Sequence, residues 1–359
     1  MKGLYLESIG QPPRLHPSLP EPRLRAGGVI VRMRAVPVLS YTKEVLSGKL
    51  GYLFPTPLIP GNAGVGVVES VADDVFGLVP GQWVAVDPRI TAHDNAKPDQ
   101  ADWVLIGLTA STPASQRLQA LWAQGSYAEK ALLPAECLTP LDALAALPPA
   151  RLALLSRIAI PYGGLVRGDL RPGQTVAING ATGVFGSSAV VAALALGAAR
   201  VLAVGRDAHA LGALAALDPA RVVPCPLGSG PVVEQAARLR AAAGPWGVDL
   251  YFDMLGRADD PDPILAGLGA LRHRGTAVLM GGVRIPIPLS YAEIMHRELT
   301  IIGNFMYPRG ALRELVALAA ARVLNLDAFA TATFPLEDFA AAFDRAETAK
   351  GLESVALLM

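Results

Sequence analysis

"TVAINGATGVFGSSAVVAALALGAARVLAVGRD", Thr175 to Asp207, is the stretch on which the reading of the chain turns. The apolar run before Asn179 has the composition of a buried strand, and it passes through "GATGVFG" directly into an Ala/Val-rich helix. Three glycines alone are weak evidence. Strand, turn, helix and second strand in succession are the context that makes them a dinucleotide fingerprint. Gly183 then lets the backbone approach a pyrophosphate, and Gly186 lets the helix lie close to the strand. The helix N-terminus offers N–H groups and the positive end of its dipole to the phosphates. The cofactor-binding candidates here are Gly180, Ala181, Thr182, Gly183, Val184, Phe185 and Gly186. A plain tight turn between packed elements is the competing explanation of the same glycines.

The next strand, "RVLAVGRD", ends in Gly205 and Arg206. About twenty residues past the glycines, an NAD site usually sets a carboxylate against the ribose 2′-OH. A carboxylate at Gly205 would repel a 2′-phosphate, so its absence beside a guanidinium predicts NADP(H) over NAD(H). Asp207 weighs the other way. It could reach a ribose hydroxyl, or pair with Arg206 as a solvated loop couple.

The length, 359 residues, exceeds what one hydrophobic core usually serves and predicts two domains. With 52% hydrophobic and 17% charged residues, long disorder is excluded. Basic and acidic residues balance at 31 each, which leaves no electrostatic footprint for a nucleic acid or an anionic membrane surface. The most apolar segment, around Ala189 to Leu202, is broken by Gly197 and Arg200, so no membrane span is predicted. Cys137 and Cys225 are too few for a disulfide framework and read as buried free thiols. The start, "MKGLYLESIGQPPRL", lacks the apolar core of a signal peptide, and together these features predict a cytoplasmic protein.

Residues 1–150 read as short strands between Pro and Gly turns, among them "GGVIVRMRAVPVLS", "AGVGVVESV" and "GQWVAVDP", with a short helix at "PASQRLQALWAQ". That spacing predicts a β-rich barrel or sandwich. In 151–324, strands predicted at 175–179, 201–204, 221–224, 248–253, 275–280 and 299–303 alternate with Ala-rich helices. Such alternation is the pattern of a doubly wound parallel sheet, a Rossmann domain of α/β class. Residues 325–359 read strand, helix, strand, and return to the first domain.

The order of these parts resembles the medium-chain dehydrogenase/reductase superfamily. The resemblance rests on "LIPGNAGVGVVESV", "VPGQWVAVDP", "GSYAEKALLP", "LRPGQTVAINGATGVFGSSAV" and "GTAVLMGG", in that order along nearly the whole chain. It implies a GroES-like catalytic domain before and after the Rossmann domain. In zinc alcohol dehydrogenases of the superfamily, a Cys, a His-Glu pair and a third Cys or Asp hold the metal. Here those positions fall at Leu39, at Asn62-Ala63 and at about Ser156, which offer neither thiolate nor imidazole. Arg89 to Gln119 contains no cysteine, so the structural-zinc cluster is missing too. His93, beside Asp94, reads as a solvated loop residue, and His16, His209, His273 and His296 are scattered. The chain therefore looks like the zinc-free quinone oxidoreductase and enoyl reductase branch, and "SGKLGYLFPTPLIPGNAGV" is similar to the enoyl reductase segment.

Without a Lewis acid, hydride delivery to an already electrophilic carbon is the easier chemistry. A quinone or an α,β-unsaturated carbonyl places the developing charge on an oxygen that one or two hydrogen-bond donors stabilise. Tyr41 stands where zinc enzymes carry a Ser or Thr proton relay, and Tyr52 lies two residues beyond the enoyl reductase tyrosine position, here Leu50. Asn62 would be a polar wall residue near the nicotinamide, or bond its own turn. Tyr41, Tyr52 and Asn62 are thus the catalytic candidates; plain wall packing is the alternative for each tyrosine. Strand ends add cofactor candidates Met280, Gly281, Gly282, Asn304, Phe305 and Met306, and Phe305, Met306 and Tyr307 would wall the substrate. By resemblance, the edge strand near Thr300 to Asn304 would pair two copies in a homodimer. A metal-free alcohol or carbonyl oxidoreductase, and a nucleotide-binding sensor without turnover, are the other readings.

Overall fold

The computed structural model describes residues 1–91, 103–110 and 112–359, the side chain of Trp103 excepted. The β-branched runs of the first third form β1 (Gly3–Tyr5), β2 (Arg14–His16), β3 (Gly28–Pro37), β4 (Gly64–Val71), β5 (Trp83–Val86), β6 (Arg89–Thr91), β7 (Trp103–Leu105), β8 (Lys130–Pro134) and β9 (Leu138–Pro140). Between them lie the helices α1 (Thr42–Leu46) and α2 (Pro113–Leu121). The Ala/Leu-rich stretch after Leu141 turns helical past Pro148 and is broken at Ala153 into α3 (Pro149–Leu152) and α4 (Leu154–Arg167). Then come β10 (Thr175–Asn179), α5 (Val184–Ala195), β11 (Arg200–Gly205), α6 (Ala208–Ala215), β12 (Val222–Pro226), α7 (Val232–Ala243), β13 (Val248–Asp253), α8 (Asp262–Ala270), β14 (Leu271–Leu279), α9 (Tyr291–His296), β15 (Thr300–Gly303) and α10 (Ala311–Ala320). The chain closes with β16 (Ala330–Pro335), α11 (Phe339–Thr348) and β17 (Glu353–Leu358).

Two compact units result. One comprises Met1–Ser156, Thr331–Ala349 and Ser354–Met359; the other comprises Arg157–Ala330 and Lys350–Glu353. In the first, a sheet runs β16-β17-β3-β4-β5-β9, its pairs from β17 to β9 all antiparallel. β3 is long enough to share one edge, with β8 pairing to Gly28–Arg32 and β17 to Ala35–Pro37. The last strand of the chain thus completes the sheet that the first third began, and the unit is the β-rich half that the sequence predicts.

In the second unit the sheet order is β12-β11-β10-β13-β14-β15, and its neighbouring strands all run parallel. This is the doubly wound Rossmann order, whose topological switch lies between β10 and β13. The central strands are apolar on both faces because helices cover both, and Val176, Ala177, Ile178, Val201 and Leu202 have no exposed surface. α5 is apolar all round, and every residue from Gly186 to Ala193 is buried. The four residues Lys350–Glu353 group with this unit because the Gly351 N–H donates to the Thr182 carbonyl, at 3.0 Å. No helix among the described residues is long and apolar enough to cross a membrane.

Candidate active site

The glycine turn sits at the switch between β10 and β13. Gly180, φ +75°, takes the left-handed conformation, and an added Cβ there would come within 3.0 Å of Met254. Ala181 N–H donates to the Val204 carbonyl, which ties the turn to β11. At Gly186 a Cβ would fall 2.0 Å from the Gly180 carbonyl oxygen, so only glycine lets α5 start against the end of β10. Gly183 is the N-cap of α5, extended at φ −82° and ψ 167°, and no side chain caps the helix. An uncapped first turn facing the crevice is the arrangement that holds a phosphate. The residues therefore fit a dinucleotide at this place.

At the tip of β11 the structure adds a reason for Gly205 that the sequence does not disclose. A Cβ at Gly205 would meet the Thr182 side chain at 2.5 Å, so packing as well as charge keeps a carboxylate out. Arg206 is exposed and forms no hydrogen bond or ion pair with any described residue. Asp207 does not pair with it. Its carboxylate caps α6 by accepting from the Ala210 N–H at 3.0 Å, and that backbone bond holds its pKa below the usual carboxylate value.

On the nicotinamide side, Met280, Gly281 and Gly282 follow β14, and both glycines are exposed. A Cβ at Gly281 would lie 2.4 Å from the Leu255 carbonyl oxygen, and one at Gly282 2.6 Å from that of Gly256. These glycines therefore let the loops after β13 and β14 lie together. Asn304 braces the next loop, its amide donating to the Met306 carbonyl at 2.7 Å and to the Met280 sulfur at 3.2 Å. Phe305 is 53% exposed and Met306 is half-buried. Tyr307 is not the wall residue that the sequence suggests. It is buried, and it packs where a Cβ on Gly163 would be, 2.3 Å from its own Cβ.

Beneath the crevice lies a buried polar network. The Asn179 amide donates to the Tyr251 hydroxyl at 2.9 Å and to Asp253 Oδ1 at 3.0 Å, and the Tyr251 hydroxyl donates to the same oxygen at 3.0 Å. Burial raises the Asp253 pKa to about 6 against the pull of these bonds. The three residues join the ends of β10 and β13 directly below the glycine turn. Asn179 and Tyr251 read as ordinary strand residues in the sequence, and only the parallel pairing shows them together.

In the first unit Tyr41 is the N-cap residue of α1 and is half-buried. Burial first, then the neighbouring phenols of Tyr52 and Tyr127, push its pKa well above that of an ordinary tyrosine. Tyr127 hydrogen-bonds the Thr42 hydroxyl and donates to the Pro37 carbonyl at 3.3 Å. Thr42 in turn accepts from the Leu39 N–H at 3.1 Å. The structure thus brings Tyr41 and Tyr52 together and adds Tyr127, which the sequence holds in plain view within "GSYAEKALLP". Asn62 is half-buried on a loop wedged in place, since a Cβ on Gly107 or Gly125 would strike the Gly61 carbonyl oxygen at 2.2 or 2.1 Å. Its amide makes no hydrogen bond with a described residue, so it does not bond its own turn.

The positions that hold zinc in related enzymes do not fit a metal. Leu39 and Ala63 carry no donor, and the Ser156 hydroxyl is spent on the Ala153 carbonyl at 2.8 Å. Cys137 is buried, with its thiol on the Arg89 carbonyl, and burial raises the Cys225 thiol to about 11. No three His, Cys, Asp or Glu side chains among the described residues are grouped to hold a metal. His93 and Asp94 lie outside the described residues.

Comparison with known proteins decides the family. The alcohol dehydrogenase GroES-like domain model matches residues 25–143, and the zinc-binding dehydrogenase model matches residues 185–321. The chain belongs to the medium-chain dehydrogenase/reductase superfamily. As a member of that superfamily it is an NAD(P)(H)-dependent oxidoreductase acting on a small molecule. A protein of Agrobacterium fabrum, provisionally named as a D-xylulose reductase, is 27% identical over 84% of this chain and 82% of its own length. D-xylulose reductase A of Aspergillus niger is 26% identical over 86% of this chain and 83% of its own. Among solved structures, the alcohol dehydrogenase TADH of Thermus sp. ATN1 superposes over 100% of this chain and 99% of its own, with a TM-score of 0.80 at 24% identity. At that identity the likeness is one of fold.

Proposed function

We propose that the protein is a metal-independent, NADPH-dependent reductase that delivers hydride to a quinone or an α,β-unsaturated carbonyl. The observation that carries this is the donor set. Where a zinc enzyme has a Lewis acid, this chain has Leu39, Asn62, Ala63 and Ser156, and beside them a cluster of protonated phenols. The second unit holds the cofactor, which supplies the hydride, and the first unit holds the substrate.

Gly180 to Gly186 and the uncapped first turn of α5 bind the diphosphate. Gly205 leaves room beside Thr182, and Arg206 faces the 2′-phosphate. Met280 to Gly282 and Asn304 to Met306 hold the nicotinamide half through backbone groups and fix its face. Tyr41, with its pKa raised, donates a hydrogen bond to the substrate oxygen on which negative charge develops, and Asn62 offers a second donor on a fixed loop. A phenol so hard to ionise stays protonated as a hydrogen-bond donor and gives up its proton poorly. Water therefore completes the protonation. The exposed edge strand β15 supports a homodimer built by strand pairing between two copies.

A second reading, reduction of a simple carbonyl, draws support from the D-xylulose reductase names of the relatives. The two part on one assay. Purified protein is offered NADPH with a quinone, a cyclic enone, an enal, a saturated aldehyde and D-xylulose, and NADH is run in parallel. Turnover on the quinone or enones supports the proposal. Turnover confined to the aldehyde or the ketose replaces it with the second reading.

A further inference from the structure

Arg157 is a buried cation with no acid. Its side chain is 5% exposed in α4, and burial draws its pKa down to about 9, so it stays charged at neutral pH. The guanidinium donates to the carbonyls of Val184, Gly351 and Glu353 and to the hydroxyls of Ser187, at 3.1 Å, and Ser188, at 2.8 Å. The ring of Phe329 covers it at 5.0 Å. No carboxylate among the described residues pairs with it. A buried charge without a counter-ion is costly, and neutral carbonyls offset only part of the cost.

Its place in the fold gives the charge a use. Val184 is the first residue of α5, so the guanidinium is bonded to the very turn whose N-terminus faces the crevice. The helix end already carries about half a positive charge. Two positive fields therefore converge at the first turn of α5, where no carboxylate among the described residues pairs with Arg157. The same side chain also holds the Gly351 carbonyl, while the Gly351 N–H holds Thr182 of the glycine turn.

We infer that Arg157 is a positioning residue for the cofactor diphosphate: it supplies the buried positive charge beneath the first turn of α5 and pins the return segment to the glycine turn. The inference rests on the dinucleotide reading of this unit. Arg157 does not touch the phosphates. It acts through α5 and, by way of Gly351, through Thr182.

The test measures dissociation constants of NADPH and NADH by fluorescence titration of the full-length protein carrying Arg157→Met or Arg157→Lys. Arg157→Met is expected to weaken both dinucleotides about tenfold and to the same degree, because the diphosphate is common to them. Arg157→Lys is expected to stay within about threefold at pH 7. Its deficit should then grow toward tenfold as the pH rises to 8, short of the range in which the guanidinium itself titrates, because a buried ammonium loses its proton before a guanidinium does. A folded Arg157→Met protein with native affinity overturns the inference. So does an equal loss in both variants with no pH dependence in the lysine form, which marks a packing role. If Arg157→Met does not fold, the pH profile of Arg157→Lys decides alone. A wild-type protein that binds neither dinucleotide removes the cofactor reading and the inference with it; wild-type binding with unaffected variants removes the inference alone.

Discussion

The glycine crevice of the second unit and the tyrosine cluster of the first are built by opposite means. In the crevice the proposed binding groups are backbone, and side chains are absent because there is no room for them, as at Gly186 and Gly205. In the cluster the side chains are the proposed chemistry: burial and then the phenols of Tyr52 and Tyr127 raise the pKa of Tyr41, and burial raises that of Tyr127. A site made of backbone is specific for what it binds in common with its whole superfamily. A site made of side chains sets the chemistry of one member.

That contrast breaks most visibly at Gly186. A valine there would drive its Cβ into the Gly180 carbonyl, so Gly186→Val is expected to lower NADPH affinity at least 100-fold while the first unit stays folded. Titration of NADPH fluorescence checks it, and retained affinity would mean that the turn does not bind the dinucleotide. Tyr41→Phe probes the other side. Loss of a hydrogen bond to a developing oxyanion should cut turnover about 30-fold and leave the NADPH dissociation constant within twofold. An unchanged rate would return Tyr41 to the wall. Arg206→Glu sharpens the crevice itself: NADPH binding should weaken about tenfold and NADH binding barely, because only NADPH carries the 2′-phosphate. Equal effects on the two would remove the NADP assignment.

The smallest effect concerns stability. The folded-state pKa of Asp253, about 6, lies above its ordinary value, so the protonated carboxyl favours the folded chain. Its contribution is fully present below about pH 4 and is lost as the pH rises through 6, amounting to about 3 kcal/mol at most. Lowering the pH from 7 to 5 should therefore offset part of the usual acid destabilisation. In Asp253→Asn that offset should vanish, a difference of a few degrees in the pH dependence of Tm by scanning calorimetry. Identical pH profiles would show that the carboxyl is not buried in its ionised form.

The fold was legible because it is written in local pattern. The strand spans predicted around Asn179 and Asp253, the Ala-rich helices and the strand–helix–strand return each follow from residues near one another in sequence. The glycine turn was legible for the same reason. The rest depends on what the topology brings together. Tyr127 is 86 residues beyond Tyr41 in the chain, and only the sheet of the first unit makes them neighbours. Arg157 reads as one basic residue in an apolar helix; its want of an acid becomes visible once α4, α5 and Lys350–Glu353 are packed. Tyr307 fails in the other direction, since an aromatic after a strand end looks like a wall residue until Gly163 makes a place for it.

The proposed hydride chemistry proceeds on protein donors without a metal. The most direct test is NADPH oxidation with a quinone or cyclic enone, run before and after exhaustive chelation, with the metal content of the same sample determined. Substoichiometric zinc and an unchanged rate are the expected result. One tightly held zinc per chain, with activity lost on its removal and restored on its return, would contradict the account.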